Sequence, residues 1–282
     1  MNWRDISLSS PNQLAGLGLG FIALHLTLTW LITKHADQVL LNGLFWGAIA
    51  SLIWQKRDRL SVQRDRLSRF IGFALLACLL LKSVSLSPFD SAFVRLLPGW
   101  IALTLGVFTS GWCLVQYKRE LLLILTLMVP QGSVSTWIEQ GLGIQIQTAI
   151  AQFATFLLHY LGLDVTRRGV EITVPHGAVE VQYGCAGIPV LILLIQLSIL
   201  LLMTHSANTI KRLQILILAT STAFLLSTIR VAIMTVVVNH QETFEYWHGN
   251  QGAQFFSTLA ILIFVGFSNL ILDNRIVVRE LE

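Results

Sequence analysis

The chain has 282 residues, of which 54% are hydrophobic and 12% charged, with a formal net charge of +4 and a mean hydropathy of +0.70. An ordinary soluble domain carries roughly 25% charged residues, so composition excludes a soluble globule. The positive balance does not point to nucleic acid, because the basic residues sit in short clusters between apolar runs, where loop charge sets membrane orientation. No Pro-, Gly- or Ser-rich linker divides the sequence and no period of about 20 to 50 residues repeats. The expectation is one membrane domain, 1–282.

Met1 to Gln13 carries Arg4 and Asp5 ahead of an apolar run without a small-residue cleavage site, which reads as the lead into a first span, not a removable signal. A hydrocarbon core of ~30 Å takes about 20 helical residues. Apolar runs long enough to cross it occupy 14–33, 38–54, 69–86, 96–115, 120–137, 186–204, 211–238 and 254–272. The segment 144–162 differs: Ile144-Gln145-Ile146-Gln147 is polar at alternate positions, and Gln152 and His159 continue a wet face. It is expected as a re-entrant or interfacial helix. The loop from Gln55 to Arg69 holds Lys56, Arg57, Arg59, Arg64, Arg66 and Arg69 against Asp58 and Asp65, which places it in the cytoplasm. Counting outward puts Ser87–Arg95 outside and Lys118-Arg119 inside; Lys211-Arg212 and Arg275 with Arg279 are also inside. The two counts agree when 138–184 begins and ends outside.

That outer segment has strand texture. Val170, Ile172 and Val174 alternate with Glu171 and Thr173, and Val179, Val181 and Tyr183 alternate with Glu180 and Gln182, around Pro175-His176-Gly177. The pattern predicts a short hairpin running into Gly184-Cys185-Ala186-Gly187-Ile188-Pro189, which opens the next span. The expected fold is an all-α polytopic membrane protein with about eight transmembrane helices, a re-entrant or interfacial helix and a short outer β-hairpin.

Three residues stand out chemically. Cys185 lies at the outer mouth of a span, where a helix N-terminus or a nearby cation lowers a thiol pKa and flanking glycines let a backbone approach. The alternative is a small buried hydrophobe, the reading taken for Cys78 and Cys113 inside their apolar runs. Arg230 interrupts a nearly uncharged span, at an insertion cost of ~2.5 kcal/mol or more. It lies about two turns, ~12 Å, below the outer end, which allows its guanidinium to snorkel into a polar pocket or to serve as an anchor. His248 lies in the loop Asn239 to Gly252 beside Tyr246 and Trp247, aromatic residues suited to the membrane interface. It is either a solvated loop residue or a functional one, with His240 the competing histidine on the same side. A thiol, an arginine and a histidine on one outer face can perform acyl transfer: the histidine moves protons, and the arginine stabilises an oxyanion or holds an ion pair.

The ordered set Gly184-Cys185-Ala186-Gly187-Ile188, Ser227-Thr228-Ile229-Arg230-Val231 and Trp247-His248-Gly249 resembles the exosortase and archaeosortase family, particularly its cyanobacterial branch, the cyanoexosortases. The similarity covers 120–272, an exosortase-like catalytic region, whereas the N-terminal spans, 1–119, match only in being hydrophobic. The resemblance implies a multi-pass enzyme of the bacterial inner membrane, with its active site facing the periplasm. Such an enzyme is a cysteine peptidase or transpeptidase that cleaves a C-terminal PEP-CTERM-like sorting signal of exported proteins. It implies a catalytic trio of one Cys, one Arg and one His or second Arg, here Cys185, Arg230 and His248, and leaves the acceptor for transfer unnamed. No cofactor, metal or nucleic-acid partner is expected, since no CxxC metal pattern is present and the basic clusters report topology. Two positions depart from the common pattern: Ala186 stands where many members have Ser, and Ser227 where many have Asn. A rival reading is a polytopic anion or solute transporter using the intramembrane arginine, but that predicts paired Gly- or Pro-broken spans, and Pro130 has no counterpart.

Overall fold

The computed structural model describes residues 11–34, 36–56, 66–84, 91–108, 117–129 and 131–272. Met1–Ser10, Cys113, Pro130, the basic stretch Arg57–Asp65, the start of the Ser87–Arg95 loop up to Asp90, and Arg275 with Arg279 lie outside these residues. The chain falls into two compact units, 1–130 and 131–282.

The first unit carries helices α1 (Pro11–Thr33), α2 (Ala36–Gln55), α3 (Arg66–Val84), α4 (Ser91–Phe108) and α5 (Lys118–Met128). α1 packs on α2 and α4, α4 on α3 and α5, and α2 on α5. Phe45, Leu97, Ile101 and Leu123 form its buried centre. Polar pairs link its helices, as apolar surroundings favour. Trp46 Nε1 donates to His25 Nδ1 at 2.9 Å, and Lys56 Nζ meets the buried Glu120 carboxylate at 2.5 Å. The apolar run expected to span 120–137 breaks early: α5 ends at Met128 and Val129 is extended, with φ −73° and ψ 117°. Pro130 follows in the sequence, and the residue before a proline is pushed out of the α region.

The second unit begins with α6 (Gln131–Tyr160) and continues through β1 (Thr166–Arg168), β2 (Glu171–Val174), β3 (Gly177–Glu180), α7 (Ile188–Thr204), α8 (Thr209–Val236), α9 (Gln241–His248) and α10 (Asn250–Leu272). The expectation of a separate helix over 144–162 is corrected, because 131–160 is one unbroken 30-residue helix. At 1.5 Å per residue that is about 45 Å, more than the ~30 Å of a hydrocarbon core. The alternation in Ile144–Gln147 covers only one helical turn. Ile150, Ala151, Ala154 and Leu158 recur on one buried stripe at helical spacing, with Gln145 and Gln152 exposed.

Among the described residues, α1, α6, α8 and α10 are long and apolar enough to cross a membrane. α3, α4 and α7 contribute the shorter apolar stretches Phe70–Ser83, Ala92–Val107 and Ile188–Thr204. The chain is therefore multi-pass, while the eight spans read from composition reduce to four by this measure. The apolar runs placed most of the helices, and α5 is cut short at the proline.

The expected hairpin is present and gains a strand. β1, β2 and β3 form an antiparallel sheet in that order, with Ile172 opposite Val179 and Glu171 opposite Glu180. Ile172, Val179 and Val181 are buried while Glu171, Thr173 and Glu180 are exposed, as a period of two demands when one face is covered. The covering surface is α6 and α8, which both touch the sheet. α8 is the hub of the unit, packing on α6, α7, α9 and α10. It brings Arg230 beside the turn that follows β3.

Candidate active site

β3 leads through Val181 and Gln182 into a single 3-10 turn, Tyr183–Cys185, before α7. The Cys185 and Ala186 amides both bond back to the Gln182 carbonyl, which fixes the thiol's backbone. The turn is also tied to α6: the Tyr183 hydroxyl donates to the Ser135 carbonyl and lies 3.0 Å from Ser135 Oγ. Gly187 is the N-cap of α7 with φ +72°, a left-handed conformation that favours glycine. A Cβ there would overlap Ser227 Oγ on α8, so Gly187 also sets how closely the thiol's turn approaches α8.

Cys185 is buried, in an apolar cluster with Ile150, Ala186, Val231 and Met234, against which Phe244 and Trp247 pack. Burial pushes the Cys185 thiol up from its ordinary value, and the positive charge of Arg230 pulls it down without overcoming burial. The expectation of a thiol lowered by its position is corrected on this point. The one cation does not outweigh the loss of water around the sulfur.

Arg230 is 8% exposed, and three main-chain carbonyls accept its hydrogen bonds. Nε donates to Trp247 O at 3.0 Å, and Nη2 donates to His248 O at 2.8 Å and to Gly249 O at 3.4 Å. These acceptors form the C-terminal end of α9, where the helix dipole favours a cation, and Gly249 O also accepts from the Ala253 amide of α10. The bonds account for an arginine inside an apolar helix: its charge sits against oriented carbonyl dipoles. Gly252 permits this fold of the chain, since a Cβ there would run into the Trp247 main chain. Trp247 packs edge-on to Phe255 with ring centres 5.7 Å apart and lies 5.8 Å from Phe256, pinning α9 onto α10. The polar pocket expected for the guanidinium is thus largely peptide backbone.

His248 is exposed. Its imidazole stacks on Phe244, one helical turn earlier, with ring centres 5.5 Å apart and an interplanar angle of 10°. Among the described residues no hydrogen bond joins the imidazole to Cys185 or Arg230; what reaches Arg230 is the carbonyl of His248. His176, His205 and His240 are exposed, and among the described residues no side-chain hydrogen bond or ring contact joins them to the Cys185 turn. Cys78 is exposed on α3 in the first unit. The fold therefore brings Cys185, Arg230 and the main chain of His248 together and leaves the imidazole at the rim. Sequence reasoning missed α9, reading 239–252 as a loop, although Phe244 and His248 at i and i+4 carried a helical signal.

A cleft of about 70 Å³ opens beside the turn, lined by Gly184, Gly187, Ser227, Arg230 and Ser257. A larger apolar groove of about 550 Å³ runs between α6, α7 and α8, past Ala186, Gly187 and Ile188. No group of three or more His, Cys, Asp or Glu side chains suited to a metal ion occurs among the described residues.

The family profile described as transmembrane exosortase matches residues 30–265. No curated protein and no solved structure matches the chain. The matched stretch contains the thiol turn, the arginine of α8 and the whole of α9, and this chain belongs to the transmembrane exosortase family.

Proposed function

We propose that the chain is a membrane-embedded cysteine transpeptidase or protease of the cyanobacterial exosortase branch, cleaving a C-terminal PEP-CTERM-like sorting signal of exported proteins. The observation that carries this reading is the convergence of a buried thiol, an arginine whose charge acts on it, and the histidine-bearing end of α9. Cys185 is the nucleophile. Its proton passes to the His248 imidazole as the sulfur attacks the scissile carbonyl, and the imidazolium then protonates the leaving amine as the C–N bond breaks. The thioester left on Cys185 is resolved by water or by the amine of an acceptor. The His248 imidazole, exposed at the rim, turns toward the thiol in the substrate complex while the main chain of α9 stays in place. Arg230 supplies a fixed positive charge beside the developing negative one. Its three carbonyl partners argue against a cation that binds and releases a transported anion.

Orientation follows from the loop charges. α5, at 11 residues and about 16 Å, is too short to cross alone, while α6 is long enough. Moving one crossing from 120–137 to α6 keeps Lys118-Arg119 and Lys211-Arg212 inside and puts the sheet and Cys185 outside. The site therefore faces the periplasm of the inner membrane. The sorting signal's apolar segment lies among the helices and its recognition motif reaches the cleft past the sheet.

A co-expressed reporter ending in a PEP-type signal, an apolar segment and a basic tail tests the reading. Wild type is expected to process it, Cys185→Ala to abolish processing, and Arg230→Ala and His248→Ala to reduce it severely at equal membrane abundance. Processing that survives Cys185→Ala overturns the assignment.

A further inference from the structure

We infer that Arg230 acts as a positioning residue: its guanidinium fork fixes the end of α9 and thereby sets where the His248 imidazole stands. The catalytic consequence rests on the thiol-enzyme reading, whereas the clamp itself rests on hydrogen-bond geometry. Nε and Nη2 reach three successive carbonyls, Trp247, His248 and Gly249, and Nη1 makes no hydrogen bond among the described residues. Three consecutive acceptors define a position and a direction for the chain, which one bond would not. Apart from the clamp, α9 is held to α8 and α10 by packing contacts, with no side-chain hydrogen bond to either among the described residues. It is eight residues long with none buried, shorter than an isolated helix needs for stability, and its N-cap makes no side-chain hydrogen bond. Phe244 and Trp247 supply apolar contacts, which are non-directional. The fork makes the end of α9 directional, and Phe244, stacked on His248, relays that position to the ring.

Lysine at 230 separates charge from fork. It keeps a cation near Cys185 but offers one ammonium, which cannot reproduce a planar two-nitrogen grip on successive carbonyls. Gly252→Ala separates them from the other side: it leaves Arg230 intact and forces a Cβ into the Trp247 main chain, displacing the acceptors.

The experiment combines hydrogen exchange of the purified full chain in lipid nanodiscs with reporter processing. In Arg230→Lys and in Gly252→Ala, the amides of Gly249 and Ala253, bonded in wild type to Glu245 O and Gly249 O, are expected to exchange about tenfold faster or more, since hydrogen bonds from a charged donor are lost or strained. Processing is expected to fall about a hundredfold in both, the effect of misplacing a catalytic group by about 1 Å. In a His248→Ala background, Arg230→Lys is expected to cost less than about threefold further, because groups acting as one unit are not additive. Unchanged exchange at Gly249 and Ala253 in both variants overturns the clamp. Losses that multiply in the double variant show the Arg230 fork acting independently of His248 and overturn the positioning role. If wild type fails to process the reporter, the proposed substrate falls and exchange alone decides the clamp.

Discussion

Replacing Gly187 with alanine adds a methyl group where neither the backbone nor the neighbouring helix leaves room. With φ at +72°, a side chain at this position costs roughly 1–2 kcal/mol. The new Cβ would also overlap Ser227 Oγ and lie 2.8 Å from Ser227 Cβ, and forcing extra atoms into a packed site costs about 1–3 kcal/mol. Gly187→Ala is therefore expected to destabilise the second unit by about 2–5 kcal/mol. Ser227→Gly removes both obstructing atoms, at about 1 kcal/mol for glycine within a helix and about 1 kcal/mol for the lost hydrogen bond to Ala223 O. In the double variant the overlap vanishes and the backbone strain remains. The cycle should thus show a favourable coupling of about 1–3 kcal/mol. Chemical denaturation in detergent micelles measures it, with alkylation of Cys185 reporting whether the thiol's turn has opened. Energies that add to within about 0.5 kcal/mol would refute the claim that Gly187 is required by contact with α8.

Burial holds the Cys185 thiol above its ordinary value and Arg230 opposes that shift, so Cys185 is neutral at pH 7 and its thiolate appears only as pH rises. Alkylation by an impermeant reagent should accelerate with pH beyond the range of a free cysteine, and Arg230→Gln, by removing the opposing charge, should move the midpoint higher still. An unmoved midpoint in Arg230→Gln breaks the electrostatic link between the two residues. Ile172, fully buried opposite Val179, should cost about 2–5 kcal/mol when cut to alanine, whereas the exposed Thr173→Ala should stay within about 0.5 kcal/mol; equal stabilities would show that the sheet does not pack on α6 and α8.

Hydropathy determined the membrane class and placed α1, α2, α8 and α10 within a few residues, because about 20 apolar residues in a row have no other stable solvent. The period-two pattern marked β2 and β3, since one covered face fixes alternation. β1, only Thr166-Arg167-Arg168, has no apolar alternation of its own and exists because β2 offers it an edge. Polar Gln145 and Gln147 suggested a boundary inside α6, yet a helix carries such residues without a break when its buried stripe lies elsewhere, and the stop at Pro130 falls just ahead of its first residue, Gln131. Cys185, Arg230 and His248 could be singled out by residue type and by the common side that loop charge assigns to them. Their relation could not. Arg230 binds carbonyls of Trp247, His248 and Gly249, and a carbonyl belongs to every residue, so no letter in the sequence announces it as a partner. The direction of the Cys185 shift likewise depends on how much water packing removes from the sulfur, a quantity set by α6, α8 and α9 together. Sequence by itself determined the solvent and offered an orientation and candidate groups; tertiary structure decided which of them touch, because burial and main-chain acceptors exist only once the helices have met.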